Sequence, residues 1–220
     1  MPRAPIGSPL PEDKAEALAL LGDSVSRETW RRLEQFVDLF LSRQRSTNLV
    51  ASSTVPRLWT RHIADSLQLL ALAPTARRWL DLGAGGGFPG LVIACALATE
   101  EGAQVHLVES VQKKAAFLRA AAGELSLPAI VHAQRIEDFV SGTTERFDVV
   151  TARALAPLDK LIGYAIPLLK TGVLGIFLKG QDVEAELTQA AKSWTIEADL
   201  VTSRTDPRSR IVRVRRASER

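Results

Sequence analysis

The stretch WLDLGAGGGFPGLVIACAL, residues 79–97, decides how this chain folds. A short apolar run ends on an acid, Asp81; glycines follow at 83, 85 and 87; Pro89 then opens a second apolar run. A buried strand, a turn whose glycines let backbone approach a ligand, and a helix with proline in its first turn make one βα unit. The unit repeats downstream. Strands are expected at 77–83, 103–110, 129–134, 146–153 and 172–180, and helices at 88–98, 111–125, 136–140, 158–170 and 182–194. Two last strands, 195–203 and 210–216, have no helix between them, so the final one should run antiparallel. This alternation predicts an α/β fold: a seven-stranded, mostly parallel, Rossmann-like sheet, helices on both faces, and the ligand beyond the carboxyl ends of the strands.

Upstream the pattern is helical. Trp30, Leu33, Val37, Phe40 and Leu41 recur at helical spacing behind a capping Ser26, and a second helix is expected from about Pro56 to Leu72 with Trp59, Ile63, Leu67 and Leu70 on one face. Residues 1–74 therefore read as a flexible lead-in, MPRAPIGSPLPEDK, and a helical extension; residues 75–220 read as the α/β domain, the two forming one compact unit. With 220 residues, 46% of them hydrophobic, the chain can bury one sizeable core. Its longest apolar run, residues 90–98, is far short of the roughly 18–20 residues a membrane helix needs. The lead-in has no apolar signal core, and the single cysteine, Cys95, excludes internal disulfides and multi-cysteine metal sites. A soluble, cytoplasmic, monomeric protein is expected. The net charge of +3 is mild, but Arg204, Arg208, Arg210, Arg213, Arg215, Arg216 and Arg220 crowd the C-terminal end against Asp206 and Glu219. Such a run is either solvated surface or a footprint for a phosphate backbone.

Two ligands compete for the glycine turn. Gly85, Gly87 and Gly90 match the dinucleotide pattern G-x-G-x-x-G, with Glu109 at a suitable distance for a ribose hydroxyl. In the other frame Asp81 precedes alternating glycines at 83, 85 and 87, the pattern of S-adenosylmethionine methyltransferases. Charge separates them: a carboxylate repels a pyrophosphate and attracts the sulfonium and ammonium of S-adenosylmethionine. Glu109, ending the second strand, suits the ribose diol. Ile136, with Glu137 or Asp138, follows the third strand where an adenine would lie, and Phe88 lines the same slot.

LDLGAGGGFPGLVIA, RIEDF, FDVVTARALAPL, FLKG and the upstream RHIADS together resemble the small-subunit ribosomal RNA guanine-N7 methyltransferases, also called glucose-inhibited division protein B. The likeness runs in order from about Trp30 to Arg215. It implies the seven-stranded methyltransferase fold with an N-terminal helical extension, S-adenosylmethionine as cofactor, and transfer of a methyl group to N7 of a guanine in a conserved loop of 16S rRNA, free or within the small subunit. It places cofactor positions on Gly83, Phe88, Ile136, Glu137 and Arg153, with the acid after the second strand at Glu109.

The rest of the chemistry agrees through what is missing. Cys95 lies inside an apolar helix, unsuited to the thiolate attack that C5 methylation of pyrimidines requires. Amino-group methylation of DNA bases typically uses an Asn/Asp-Pro-Pro-aromatic motif after the fourth strand, where this chain has TARALAPL. Guanine N7 offers an in-plane lone pair and loses no proton, so positioning suffices and no general base is expected. Arg153 is placed for positioning, on guanine O6, a phosphate or the cofactor carboxylate. Arg61, Lys179, Arg213 and Arg215 are candidates for RNA phosphate. His62, Asp65 and Ser66 share a helical face and suit either RNA contact or a helix–sheet hydrogen-bond network. No metal site is expected from three scattered histidines.

Overall fold

The computed structural model describes residues 8–220. Seven strands form one sheet: β1 (Arg78–Leu82), β2 (Gln104–Val108), β3 (Ala129–His132), β4 (Val149–Arg153), β5 (Leu174–Lys179), β6 (Trp194–Thr202) and β7 (Arg210–Glu219). Their spatial order is β3-β2-β1-β4-β5-β7-β6. The first five are parallel, and β7 enters antiparallel between β5 and β6. The order reverses between β1 and β4, so the crevice beyond their carboxyl ends is where a ligand fits.

β1 shows why the strands read as apolar runs: both faces are covered. Trp79 enters one core with α4 (Gly90–Ala96) and α5 (Gln112–Glu124), while Leu80 and Leu82 enter the other with α7 (Leu158–Leu169). By the same period of two, Asp81 points with Trp79 toward α4. Two further helices, α6 (Ile136–Gly142) and α8 (Val183–Ala190), flank the second core. The helix expected at 182–194 stops short because Trp194 begins β6, paired with Glu219, and its indole N–H donates to Asp159 O at 3.1 Å.

The N-terminal part is built onto the first core. Of the expected flexible lead-in, residues 1–7 lie outside the described residues; the remainder is joined to the body, Leu10 N–H donating to Pro56 O at 3.0 Å before α1 (Pro11–Leu21) begins. Ser26 caps α2 (Arg27–Gln44) by accepting from Thr29 N–H at 3.1 Å, and Leu33, Phe36, Val37 and Phe40 form its buried face. The regular helix expected at 56–72 is instead four short turns: a 3-10 turn (Ser52–Arg57), a π-helical turn (Trp59–Ala64), α3 (Asp65–Leu67) and a second 3-10 turn (Gln68–Leu72). Pro56 cannot donate to the preceding turn. The buried Asp13 carboxylate of α1 then caps the π turn, accepting from Trp59 N–H at 2.7 Å, Thr60 N–H at 3.2 Å and the Thr60 hydroxyl. A π turn rotates the residues after it relative to an α-helix, and this one sets where His62 and Asp65 point.

Candidate active site

Beyond the carboxyl ends of β1, β2 and β4 lies a cavity of about 470 Å³, bounded by Gly83, Gly85, Phe88, Glu109, Ile136 and Arg153. Leu49, Val50, Ala51 and Thr54 close it from the N-terminal extension. Gln44 folds that loop back, its amide oxygen accepting from Leu49 and Val50 N–H at 2.9 and 3.1 Å while its nitrogen donates to Val50 O at 2.7 Å. These loop residues carry no local motif and reach the cavity only through the extension's packing, so the sequence reading missed them.

The turn donates its N–H groups inward. Gly83 and Ala84 donate to Val108 O at 2.9 and 3.0 Å, Gly87 to Ala84 O at 2.8 Å, and Gly85 to Glu109 Oε2 at 2.9 Å. At the start of α4, Gly90 N–H donates to Asp81 Oδ2 at 2.9 Å. A pyrophosphate is held by such N–H groups at a helix N-terminus. Here the buried Asp81 takes the Gly90 N–H, so that donor is not free for a phosphate.

Asp81 itself does not line the cavity. It is buried beneath the turn with Oδ1 lacking any partner among the described residues, so a direct contact with a cationic cofactor is corrected to a cap on α4. Burial pushes its carboxyl up to about 7, against the pull of the Gly90 N–H and Arg153. Its charged form is therefore disfavoured in the folded state, and its contribution to stability falls as pH rises from the unfolded value near 4 through about 7. Asp81→Asn cannot titrate. The difference in Tm, variant minus wild type, should grow between pH 5 and pH 8 in thermal melts; a difference independent of pH would refute a carboxyl displaced upward.

Glu109 lines the cavity and spans two loops: besides Gly85 N–H, it accepts from Val111 N–H at 2.8 Å. Each oxygen retains a second lone pair for a hydroxyl donor. Gly87 is not among the lining residues and packs on Leu91; Ile136 lines the cavity, and its neighbour Glu137, exposed on α6, does not. Phe88 is buried against Phe36 and Phe40, ring centroids 5.5 and 5.3 Å away, so α2 fixes the cavity wall.

Arg153 ends β4 and is the pivot of the site. One guanidinium nitrogen donates to His62 Nδ1 at 2.6 Å, the other to Arg61 O at 3.2 Å, and its plane lies 5.4 Å from the Phe88 ring centre. Arginine only donates, so His62 Nδ1 accepts and Nε2 carries the proton, given to Thr54 Oγ1 at 2.9 Å. Thr54 passes its own proton to Ala51 O at 2.8 Å. Burial first, then the charges of Arg153 and Arg61, lower His62 to about 2, so the imidazole is neutral, with its Nδ1 lone pair engaged by Arg153. The next residue, Ala154, has φ of 51°, a left-handed conformation that a non-glycine residue adopts at a cost, often at functional sites.

A second cavity, about 520 Å³, meets the first at Arg61, Arg153 and Ala154. Its far wall is the β6–β7 turn, with Arg208 and Arg210. Asp65 accepts from the Thr205 hydroxyl and the Gln68 amide, both at 2.8 Å, tying the helical turns to that wall. Ser66 donates back to His62 O at 2.6 Å. His62, Asp65 and Ser66 thus form a network between helix and sheet.

The remaining sequence candidates need correction. Lys179 lines the second cavity, but its ammonium is held by Glu186 at 2.6 Å and Ala156 O at 2.9 Å. Arg213 and Arg215 share Asp199 and sit toward the opposite end of the sheet, because β7 runs antiparallel to β5: Arg210 pairs with Lys179 at the site end, and Val214 with Gly175 far from it. Arg57, Arg208 and Arg210 take their place at the cavity. Among the described residues no cluster suits a metal ion, and no helix is long and apolar enough to cross a membrane.

This strand order, with an antiparallel seventh strand and a closed turn over a cavity at the β1/β4 switch, defines the Rossmann-like methyltransferase class. The O-methyltransferase from Bacillus cereus, solved in complex with SAH, shares the fold, with a TM-score of 0.61 at 15% identity over 93% of this chain and 99% of that one. The family model described as rRNA small subunit methyltransferase G matches residues 29–210, and the chain belongs to that family. Relatives named ribosomal RNA small subunit methyltransferase G include one from Nitrobacter hamburgensis, 58% identical over 94% of this chain and 79% of its own, and one from a Bradyrhizobium species, 59% identical over 92% and 90%.

Proposed function

We propose that this protein acts in the cytoplasm as an S-adenosylmethionine-dependent methyltransferase, modifying N7 of a guanine in 16S ribosomal RNA, free or within the small subunit. The observation that carries the reading is the junction of two cavities at Arg153: one bounded by the glycine turn and Glu109, the other rimmed by arginines. Transfer between two bound molecules needs such a junction.

The residues of the first cavity fit the cofactor. The open face of Gly85 admits close approach, with only Gly83 O within 4 Å of where a Cβ would stand. Glu109 accepts from the ribose hydroxyls through the lone pairs its backbone contacts leave, Ile136 and Phe88 give apolar walls for the adenine, and Gly83 completes the turn. When bound, S-adenosylmethionine supplies a sulfonium methyl to the N7 lone pair, the positive charge passing to the purine with no proton lost. The protein's work is then orientation at the junction, which is worth several kcal/mol of barrier when geometry is fixed in advance. Arg153, locked by His62 and Arg61, holds that geometry as its positioning residue.

The test is transfer from tritiated S-adenosylmethionine to rRNA from cells lacking this gene, followed by reduction and aniline cleavage, which cuts RNA chains at N7-methylguanine. One labelled small-subunit fragment with one cut is expected. Label without cleavage, or label only in other RNAs, overturns the reading. Calorimetry should show S-adenosylhomocysteine binding and no heat with NADH.

A further inference from the structure

We infer that Arg61 and Arg210 are the ligands for the RNA phosphates flanking the target nucleotide, gripping it across the second cavity. The inference rests on the methyltransferase reading above and adds where the RNA lies. Six cationic side chains line that cavity, Arg57, Arg61, Arg153, Lys179, Arg208 and Arg210, against the carboxylates of Asp65, Glu186 and Asp206. Their partners sort them. Arg57 is paired with Asp13 and Glu16, Lys179 with Glu186, and Arg208 with Asp206. Arg153 is engaged by His62 and Arg61 O. Among the described residues only Arg61 and Arg210 face this cavity with no carboxylate partner and no contact tying them to another part of the site; Arg210 donates only to the adjoining Pro207 and Ser209 carbonyls.

Position supports the same pair. Arg61 borders both cavities, so a phosphate on it lies next to the cofactor cavity. Arg210 stands opposite, where the β6–β7 turn enters β7, its guanidinium fixed by Pro207 O at 2.6 Å and Ser209 O at 3.0 Å. The turn is itself clamped. The buried Gln68 donates to Ser203 Oγ at 3.0 Å and accepts from Arg204 N–H at 2.9 Å, and the Arg204 guanidinium reaches Leu20 O. A guanidinium held before the anion arrives loses little freedom on binding, and its planar fork suits phosphate. Arg213 and Arg215, equally basic by sequence, are both paired with Asp199 away from the cavity.

The experiment uses the full chain and protein-free small-subunit rRNA, with binding read by filter retention against salt and turnover by tritium transfer. Arg210→Ala and Arg61→Ala should each weaken rRNA binding about tenfold and reduce the slope of log affinity against log salt by about one. S-adenosylhomocysteine affinity should stay within twofold for Arg210→Ala. Arg210→Lys should recover most of the salt slope, and Arg215→Ala should change neither quantity. An unchanged slope in Arg210→Ala, or an equal loss in Arg215→Ala, overturns the assignment. If wild-type protein binds rRNA but transfers no methyl group, the methyltransferase reading fails while the Arg210 comparison still decides where RNA binds. If wild-type protein does not bind rRNA at all, both fall.

Discussion

Gly85→Val should abolish S-adenosylhomocysteine binding while leaving the fold intact, and Gly90→Ala should do the reverse. The two glycines are five residues apart and are read alike in a pattern search, but the structure gives them different neighbours. At Gly85, φ is +56°, and a Cβ would meet only Gly83 O, at 3.7 Å, beside the open cavity. A β-branched residue there incurs backbone strain of about 1–3 kcal/mol and fills space that the cofactor requires at a comparable cost. The strain falls on the free and bound protein alike and lowers Tm, whereas the clash opposes binding, and about 3 kcal/mol of it weakens binding about a hundredfold. At Gly90 a Cβ would stand 2.2 Å from Leu107 Cδ2, 2.7 Å from Asp81 Oδ2 and 3.0 Å from Asp81 Cβ. Leu107 and Asp81 are buried, so α4 must lift from β1 and β2 and the Gly90–Asp81 hydrogen bond must stretch. Overpacking of about 3 kcal/mol corresponds to a fall in Tm of roughly 6–12 °C for a chain of this size. Calorimetry with S-adenosylhomocysteine and thermal melts on both variants decide the matter. Retained binding in Gly85→Val would move the cofactor out of this cavity, and an unshifted melt in Gly90→Ala would mean that α4 is less tightly seated than its contacts imply.

The same contrast shows what a sequence can and cannot carry. The βα alternation, the antiparallel last strand and the ligand end of the sheet follow from local periodicity and from a missing helix, and each was legible. The acid at the end of β1 was legible too; its place was not, because Asp81 caps α4 beneath the turn instead of facing the cavity. Sequence alone cannot distinguish a carboxylate facing a ligand from one capping the next helix, because both sit at the end of β1. The arginine-rich end failed for a related reason. Arg210 and Arg213 are three residues apart, yet strand register carries one to the cavity and pairs the other with Asp199. Register is set by the partner strand and has no local signal. The loop at 49–54 and the π turn were invisible because both depend on distant groups, Gln44 and Asp13, that only the packed extension brings into place.

Arg153→Ala should be the most damaging single change to activity, with losses of two separable kinds. The guanidinium is the only donor to His62 Nδ1 among the described residues, and it also faces Asp65 and Asp81, whose charged forms it supports against burial. Truncation leaves a buried imidazole nitrogen unpaired and two carboxylates less compensated, which costs about 3 kcal/mol and lowers Tm by roughly 6–12 °C. That loss would accompany any structural ion pair. The second would not: Arg153 borders both cavities, so its removal loosens the junction at which the proposed function has cofactor and nucleotide meet. Misplacement by about an ångström costs on the order of a hundredfold in rate. Measured well below the variant's Tm, kcat should therefore fall about a hundredfold or more, with S-adenosylhomocysteine still bound, though more weakly. Arg153→Lys separates the two effects. A lysine keeps the charge near Asp65 and Asp81 but cannot bond His62 Nδ1 and Arg61 O in one plane. Its Tm should recover most of the way while kcat does not. Recovery of both would reduce Arg153 to a counter-charge, and wild-type turnover in Arg153→Ala would remove it from the junction altogether.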